Sequence, residues 1–372
     1  MKKRRLGVLL NIGESLALYE RMGQKDRLEQ SYLARYARRF DEVRLFTYGD
    51  DEPRLEAVDR VQLIPKRVAG PELLYSLLMP IVRRRSFRDL SVIRSLQSIG
   101  GLPALVAKRL FGVPYVTTLG FFASEHYRVE RGRLWAWIGG VIERAVVRGA
   151  DAVIVTTDSL KEYAMTLTTE DRIHMIPNGV ELNLFDLAKR KPPFSDPTTE
   201  ILFVGRLSPQ KDLETLLRAA SMLDFDYRIT VIGEGERRRA LERLAGDLKV
   251  AVEFIGAVPN RELPRYYLSA DLFVLPSRIE GHPKALLEAF AAALPCIGAR
   301  VEGIAGLIEN GKNGLLFDPG EPTELADRIS SLRAEPALAE RMGLEARRLV
   351  EDKFDLEKLL ARELELLLGV AR

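Results

Sequence analysis

A chain of 372 residues exceeds what one ordinary hydrophobic core organises, so two domains are expected. Hydrophobic residues at 47% and charged residues at 29% describe a soluble globular protein, and a single cysteine, Cys296, excludes an intrachain disulfide and suits a reducing compartment. The net charge of +3 conceals a division, because residues 1–178 hold 29 Lys and Arg against 21 Asp and Glu while the remainder holds 27 against 32.

The start, MKKRRLGVLLNIGES, is basic like the first residues of a signal peptide, but its apolar run stops at Leu10, far short of a signal or a membrane span. A cytoplasmic protein is expected. The basic first half, densest at IVRRRSFRDL (81–90), is suited to anionic lipid head groups at the inner membrane face or to an acidic acceptor, with an ordinary solvated face as the alternative. No compact basic and aromatic platform is visible, so nucleic acid is not an expected partner.

In chain order, LGVLLNI, VRLFTYG, VQLIP, SVIRSL, YVTTLG, AVIVTT and IHMIP read as strands of a first domain. IPNGVELNLFDLAKRKPPFSDPTTE (176–200) breaks the alternation of strand and helix with Asn-Gly, Pro-Pro and Asp-Pro and marks the domain junction. ILFVGR, RITVIG, VEFIGA, LFVLPS, PCIGA and GLLF follow as strands of a second domain. Strands that read as continuous apolar runs between helices imply parallel sheets buried on both faces. The expected division is residues 1–178 and 179–352, with a last amphipathic helix within 353–372 that crosses back to the first domain. Cys296, in the apolar run LPCIGA, is expected to be a buried structural thiol.

Two stretches carry candidate chemistry. In FVGRLSPQKDLETLLRAA (203–220) a strand ends at Gly205, and Arg206 and Lys211 flank a turn before a helix, which suits a diphosphate, with an exposed loop of ordinary surface charges as the alternative that this stretch alone favours. In PSRIEGHPKALLEAFAAALP (276–295) a strand, a loop and a helix follow one another, with Gly281 permitting a tight turn and Pro283 at the first helical position. Backbone N–H groups at such a helix start attract phosphate, and Glu280 and Glu288 place carboxylates where sugar hydroxyls can be bound.

VGRLSPQKDLETLLRA, EGHPKALLEAFAAALP and VEGIAGLIENGKNGLLFDPGEPTELA together resemble the retaining nucleotide-sugar glycosyltransferases of the GT-B fold, specifically glycosyltransferase family 4, and IPNGVELNLF resembles that family's domain junction. The resemblance covers essentially the whole second half; in the first half only architecture and a few residues agree. It implies an α/β protein of two Rossmann-like, doubly wound parallel-sheet domains facing across a deep cleft. It implies that Arg206 and Lys211 bind the donor diphosphate, that Glu280 contacts the donor sugar and Glu288 the ribose, and that Gly281, His282 and Pro283 lie against sugar and phosphate. Gly205 would end the strand beside the phosphates, and Gly233 would line the nucleotide end of the site. Gly23, before the helix QKDRLEQSYLARYARRF, resembles the glycine that lets backbone approach the donor phosphate or the acceptor. Leu119 stands where many members carry a histidine, and His126, the nearest, either takes that catalytic role from the loop or is an ordinary surface residue. Ala293 stands where glycine is common, and Gly306 replaces a frequent glutamate.

The activity implied is transfer of a sugar, with retention at the anomeric carbon, from a UDP- or GDP-sugar to a glycan or lipid-linked acceptor in cell-surface polysaccharide or glycolipid synthesis. No cofactor and no metal is expected beyond the donor itself, and Asp224-Phe225-Asp226 reads as a solvated loop. Two alternatives stand beside it. RITVIGEGERRRALERL carries Gly233-x-Gly235 and Glu253, most of a dinucleotide fingerprint and hence of an NAD-dependent dehydrogenase, but with Arg238 at the third glycine position. The same fold could also serve as a nucleotide-sugar epimerase or an inactive nucleotide-sugar-binding subunit.

Overall fold

The computed structural model describes residues 3–50, 52–55, 59–66 and 68–372, so Met1 and Lys2 of the basic start lie outside the described residues. The chain divides into two units, Met1–Pro177 with Lys358–Arg372, and Asn178–Glu357. Each apolar run read above as a strand forms one.

The N-terminal unit is built on β1 (Arg5–Leu9), β2 (Glu42–Phe46), β3 (Val61–Ile64), β4 (Val92–Ser95), β5 (Tyr115–Leu119), β6 (Ala152–Val155) and β7 (Ile173–Met175). Their order is β3-β2-β1-β4-β5-β6-β7, every pairing parallel. The connections carry α1 (Leu16–Arg21), α2 (Ala34–Arg39, entered through π-helical turns at Arg27–Leu33), α3 (Glu72–Val82), α4 (Arg84–Phe87), α5 (Leu102–Phe111), α6 (Ala123–Glu130), α7 (Arg133–Gly149) and α8 (Asp158–Met165). Successive strand residues point to opposite faces, and the two cores divide accordingly. Leu9, Ile93, Val153 and Val155 pack with Tyr75, Met79, Ala104, Val146 and Leu160 under α3, α5, α7 and α8. Leu6, Val8, Val92 and Ile154 pack with Leu33, Tyr36, Leu364 and Leu367 on the other face.

The second unit holds β8 (Thr199–Val204), β9 (Tyr227–Ile232), β10 (Val252–Gly256), β11 (Leu272–Leu275), β12 (Cys296–Ala299) and β13 (Leu315–Phe317), ordered β10-β9-β8-β11-β12-β13 and again parallel throughout. Around it lie α9 (Leu213–Ala220), α10 (Arg238–Leu248), α11 (Leu263–Ser269), α12 (Lys284–Ala291), α13 (Glu302–Ala305), α14 (Pro322–Ala334) and α15 (Pro336–Lys353). Phe203, Phe273, Phe290, Phe317 and Tyr267 are fully buried, each contributing roughly 1.5–3 kcal/mol of apolar transfer. Cys296 is buried in β12, and burial raises its thiol pKa, so it packs as a small hydrophobe.

The last helix, α16 (Leu356–Val370), begins in the second unit and ends in the first. Its Glu363 is buried against Arg94 of β4, with Nε to Oε1 at 2.7 Å and Nη2 to Oε2 at 3.2 Å, and it also accepts from the Tyr36 hydroxyl. Arg94 further donates to Thr118 Oγ1 at 2.7 Å, so the guanidinium ties α16 to two adjacent strands. Among the described residues no helix is long and apolar enough to cross a membrane.

Removing one partner of a buried, hydrogen-bonded ion pair strands the other in low dielectric, at a cost of about 3–5 kcal/mol. Arg94→Met is expected to lower stability by that amount in urea unfolding, and Arg94→Met with Glu363→Met to recover part of it. A single-variant loss under about 1 kcal/mol would show that the pair is not the clasp of α16.

Candidate functional site

In an open parallel sheet, ligands bind outside the carboxyl ends of the strands where the strand order reverses. In the second unit that point lies at β8, which has β9 on one side and β11 on the other. The loops leaving β8 and β11 are joined there. The Arg278 amide donates to Gln210 O at 2.8 Å, Gln210 Nε2 donates to Ile279 O at 2.8 Å, and Lys211 Nζ meets Glu280 Oε1 at 2.5 Å. Arg278 Nε lies 3.0 Å from Asp212 Oδ2, which also accepts from Thr215 Oγ1 at 2.8 Å. Asp212 sits at φ +47°, a left-handed conformation that the short Asp side chain tolerates and that turns the chain from the loop into α9.

The loops after β9 and β12 close on these two by backbone contact. A Cβ on Gly233, which has φ +137°, would lie 2.0 Å from Gly205 O, and one on Gly235 would lie 2.2 Å from Leu207 O. Hydrogen bonds from the Gly205 amide to Ile232 O and from the Leu207 amide to Glu234 O run along the same seam. A Cβ on Gly303 would lie 2.1 Å from Gly281 O. The close approach on this side is made by Gly303, and Gly281 takes no positive φ. Pro283 is shifted by one place: it is the N-cap of α12, Lys284 is the first helical residue, and no side chain caps the helix. Arg206 is half-buried directly after Gly205.

His282 is buried, its ring edge-on to Phe354 at 5.1 Å, and its carbonyl accepts from Asn178 Nδ2 at 2.7 Å. Asn178 and Phe354 flank the Val180–Asp355 bridge, on the two segments through which the chain leaves this unit. His282 Nδ1 is buried without a hydrogen-bond partner. Burial, seconded by the Lys284 charge, pulls the imidazole down to about 4. One turn into α12, Glu288 is buried and accepts from the Tyr267 hydroxyl at 3.0 Å. Ala293, just past α12, has φ +53°, which is the physical reason for glycine at such a helix end.

The structure thus gathers Gly205, Arg206, Lys211, Gly233, Glu280, Gly281, His282, Pro283 and Glu288 in one unit, on loops and a helix at adjacent strand ends. Gly23 and His126 belong to the N-terminal unit. Gly23 has φ +67° and closes the end of α1, its amide donating to Glu20 O at 3.0 Å. His126 lies within α6 rather than in a loop, half-buried beside Phe121 and Tyr127 with ring centroids at 4.9 and 5.5 Å. Glu143 of α7 holds the start of that helix, accepting from the Ala123 amide at 3.1 Å, and burial raises its carboxyl to about 7 despite the bond. Sequence reasoning passed over Gln210, Asp212, Arg278, Gly303 and Asn178. Of these only Asp212, between a cation and an apolar helix, carried any local signal. Arg238 does not behave as a dinucleotide-site residue, reaching Glu242 at 2.9 Å and Phe254 O at 3.0 Å instead. Among the described residues no three His, Cys, Asp or Glu side chains are grouped as a metal site.

Residues 185–349 match the family described as Glycosyl transferases group 1, and residues 29–179 match the Glycosyl transferase 4-like domain. The D-inositol 3-phosphate glycosyltransferase of Pseudarthrobacter chlorophenolicus is 30% identical over 338 residues, covering 81% of this chain and 80% of that protein. The alpha-D-kanosaminyltransferase of Streptomyces kanamyceticus is 29% identical over 67% of this chain and 68% of its own. Among solved structures, sucrose-phosphate synthase from Thermosynechococcus elongatus superposes with a TM-score of 0.84 at 22% identity over 98% of both chains. Anabaena HepE, solved with UDP and glucose, gives 0.75 at 18% identity over 98% of this chain and 99% of that one.

The depressed imidazole gives the site a pH signature. The unfolded chain takes up the His282 proton near 6.5, the folded one only near 4, so the stability this neutral packing provides is complete above about pH 6.5 and is lost as pH falls toward 4. His282→Gln is expected to shrink the difference in unfolding free energy between pH 7 and 4.5 by about 2 kcal/mol. An unchanged difference would show that His282 is free to protonate in the native protein.

Proposed function

The chain belongs to glycosyltransferase family 4, the group 1 glycosyl transferases, and from that premise we propose that it moves a sugar, with retention, from a UDP- or GDP-sugar to a glycan or lipid-linked acceptor in cell-surface polysaccharide or glycolipid synthesis. The observation that carries the reading is the joined pair of loops at the β8 switch point, where Lys211 is held against Glu280 beside the uncapped start of α12. A donor diphosphate at that helix start would meet the dipole's positive end, the Lys211 ammonium and the Arg206 guanidinium. Glu280 accepts from sugar hydroxyls and Glu288 from the ribose. Gly233 lets backbone line the nucleotide end, and Gly281, His282 and Pro283 border sugar and phosphate. Anabaena HepE, solved with UDP-glucose, supports a uridine donor.

In the transfer, the bond from the anomeric carbon to the diphosphate breaks and the acceptor oxygen bonds the same face of that carbon. The acceptor proton passes to a phosphate oxygen of the departing nucleotide, so no protein base is required. Charge on the leaving group and on the oxocarbenium-like sugar is what the site stabilises, through Arg206, Lys211 and the helix dipole. These groups neutralise the diphosphate without a metal. His126 and Gly23 are assigned to the first-unit side of the reaction. The protein is read as cytoplasmic, with the basic N-terminal unit meeting anionic membrane.

Thermal unfolding against uridine, guanosine and adenosine diphosphate sugars and NAD tests the donor. A ligand at about a hundred times its dissociation constant adds roughly 2.7 kcal/mol. One sugar-nucleotide class is expected to stabilise the wild type and to lose most of that effect in Glu288→Ala, with Tyr267→Phe as a control that spares the carboxylate. Stabilisation by NAD alone would reverse the reading. In turnover, Lys211→Ala is expected to lower kcat by about 10²–10³-fold, the scale of losing one stabiliser of developing charge. Retained activity in chelator and an α-linked product from an α-linked donor would support the metal-free, retaining course; inversion would overturn it.

A further inference from the structure

The outer faces of α3 and α7 are apolar. Of α3, Tyr75, Ser76, Met79 and Pro80 turn inward, while Leu74, Leu77, Leu78, Ile81 and Val82 are exposed at helical spacing. Of α7, Leu134, Trp135, Trp137 and Val141 are exposed, Leu134 at 68% and Trp137 at 65%. α5 packs against both helices, and its own Leu110 is exposed between them. The N-terminal unit carries fourteen of the sixteen large apolar side chains exposed among the described residues, and nine of those lie on these two helices. Isolated exposed apolar residues are ordinary, but an apolar face along the whole of α3 with another on the first half of α7, in one layer of one unit, is not.

Arginines edge this surface. α3 runs directly into α4, where Arg84 and Arg85 are exposed, Arg88 is exposed just past it, and Arg133 is exposed at the first turn of α7. Arg131 stacks over the Trp135 ring at 5.6 Å. Indole rings beside aliphatic side chains with guanidinium groups at the edge match the boundary between lipid tails and anionic head groups. We propose that the α3–α5–α7 layer is the face by which this protein lies on an anionic phospholipid bilayer, with the aliphatic and indole groups entering the tail boundary and the arginines on the head groups. Charge complementarity selects this occupant over a second copy of the chain, since pairing the face with itself would bring the two sets of arginines together. The proposal deepens the membrane contact of the proposed function and rests on it, but its test needs no turnover, so it can fail apart from the donor assignment.

The chain's two tryptophans are Trp135 and Trp137, so its tryptophan fluorescence, excited apart from the tyrosines, reports this face alone. Vesicles of phosphatidylcholine with phosphatidylglycerol are expected to co-sediment the full-length protein and shift its emission to the blue, and phosphatidylcholine alone to do neither. Leu77→Ser with Leu78→Ser and Ile81→Ser is expected to abolish both effects with the far-ultraviolet spectrum unchanged. Arg84→Gln with Arg85→Gln is expected to weaken partitioning roughly thirtyfold, as salt would. Should the α3 variant fail to fold, quenching of the wild-type tryptophans by brominated lipid decides the same question. No shift and no sedimentation at low salt would overturn the proposal. So would a blue shift that follows protein concentration with a dimer mass and no vesicle binding, which would assign the face to a second copy.

Discussion

The second unit depends on how closely its loop backbones approach one another at the carboxyl ends of β8, β9, β11 and β12. Gly233 and Gly235 bring the loop after β9 onto the carbonyls of Gly205 and Leu207, and Gly303 brings the start of α13 onto the carbonyl of Gly281. At about 2 Å from a carbonyl oxygen, a methyl group at any of these positions forces backbone apart. Moving the loop after β8 moves Lys211, and moving the loop after β11 moves Glu280 and the start of α12. Three missing side chains therefore set the positions of the charged ones.

The charges in turn hold one another. Lys211 with Glu280 and Arg278 with Asp212 join the loop after β8 to the loop after β11, and two hydrogen bonds through Gln210 reinforce the joint. Half-buried pairs add little net stability, because desolvation offsets most of their attraction. Their effect is geometric: an ammonium and a carboxylate are fixed before any ligand arrives, so less ordering is left to be done on binding. His282 extends the same logic toward the exits from the unit. Its carbonyl is bonded to Asn178 and its ring lies on Phe354, so the start of α12 is anchored to both segments that lead out of this unit.

The strands were legible because a parallel strand buried on both faces leaves an unbroken apolar run, as LFVL and AVIV do. Lys211, Glu280 and Glu288 stand out in the sequence because their motifs are local, and the structure puts all three in the second unit. Contacts between distant segments were not legible: Arg94 and Glu363 lie 269 residues apart, and nothing near either indicates the other. Backbone conformation was read only in part. Gly303, whose Cβ would meet the Gly281 carbonyl, carried no local signal, and Ala293 adopts the positive φ that glycine would take without strain. His126 was read either as acting from a loop or as an ordinary surface residue, and the weak apolar periodicity of ASEHYRVE does not mark the helix it lies in. Its helix is held from elsewhere, by Glu143 on α7 and by packing that puts Gly139 against Tyr127.

The sequence ELLYSLLMPIV shows why the apolar row of α3, unlike the basic run at 81–90, could not be read before the structure. A helix apolar on all sides ordinarily sits inside a core, and composition cannot say which side faces the sheet. Only when Tyr75, Ser76, Met79 and Pro80 are seen to fill the inner contact does the outer row of five aliphatic side chains stand without cover. Leaving such a row in water forfeits the transfer free energy that burial would recover, on the order of a kcal/mol or more for each side chain. The second unit, which exposes only Met222 and Leu344 among its large apolar residues, shows that this chain can bury such side chains where nothing else requires them. The apolar face of the N-terminal unit is thus a local departure from the chain's own practice. Its arginine border is what distinguishes a surface matched to anionic lipid from one that is merely unburied.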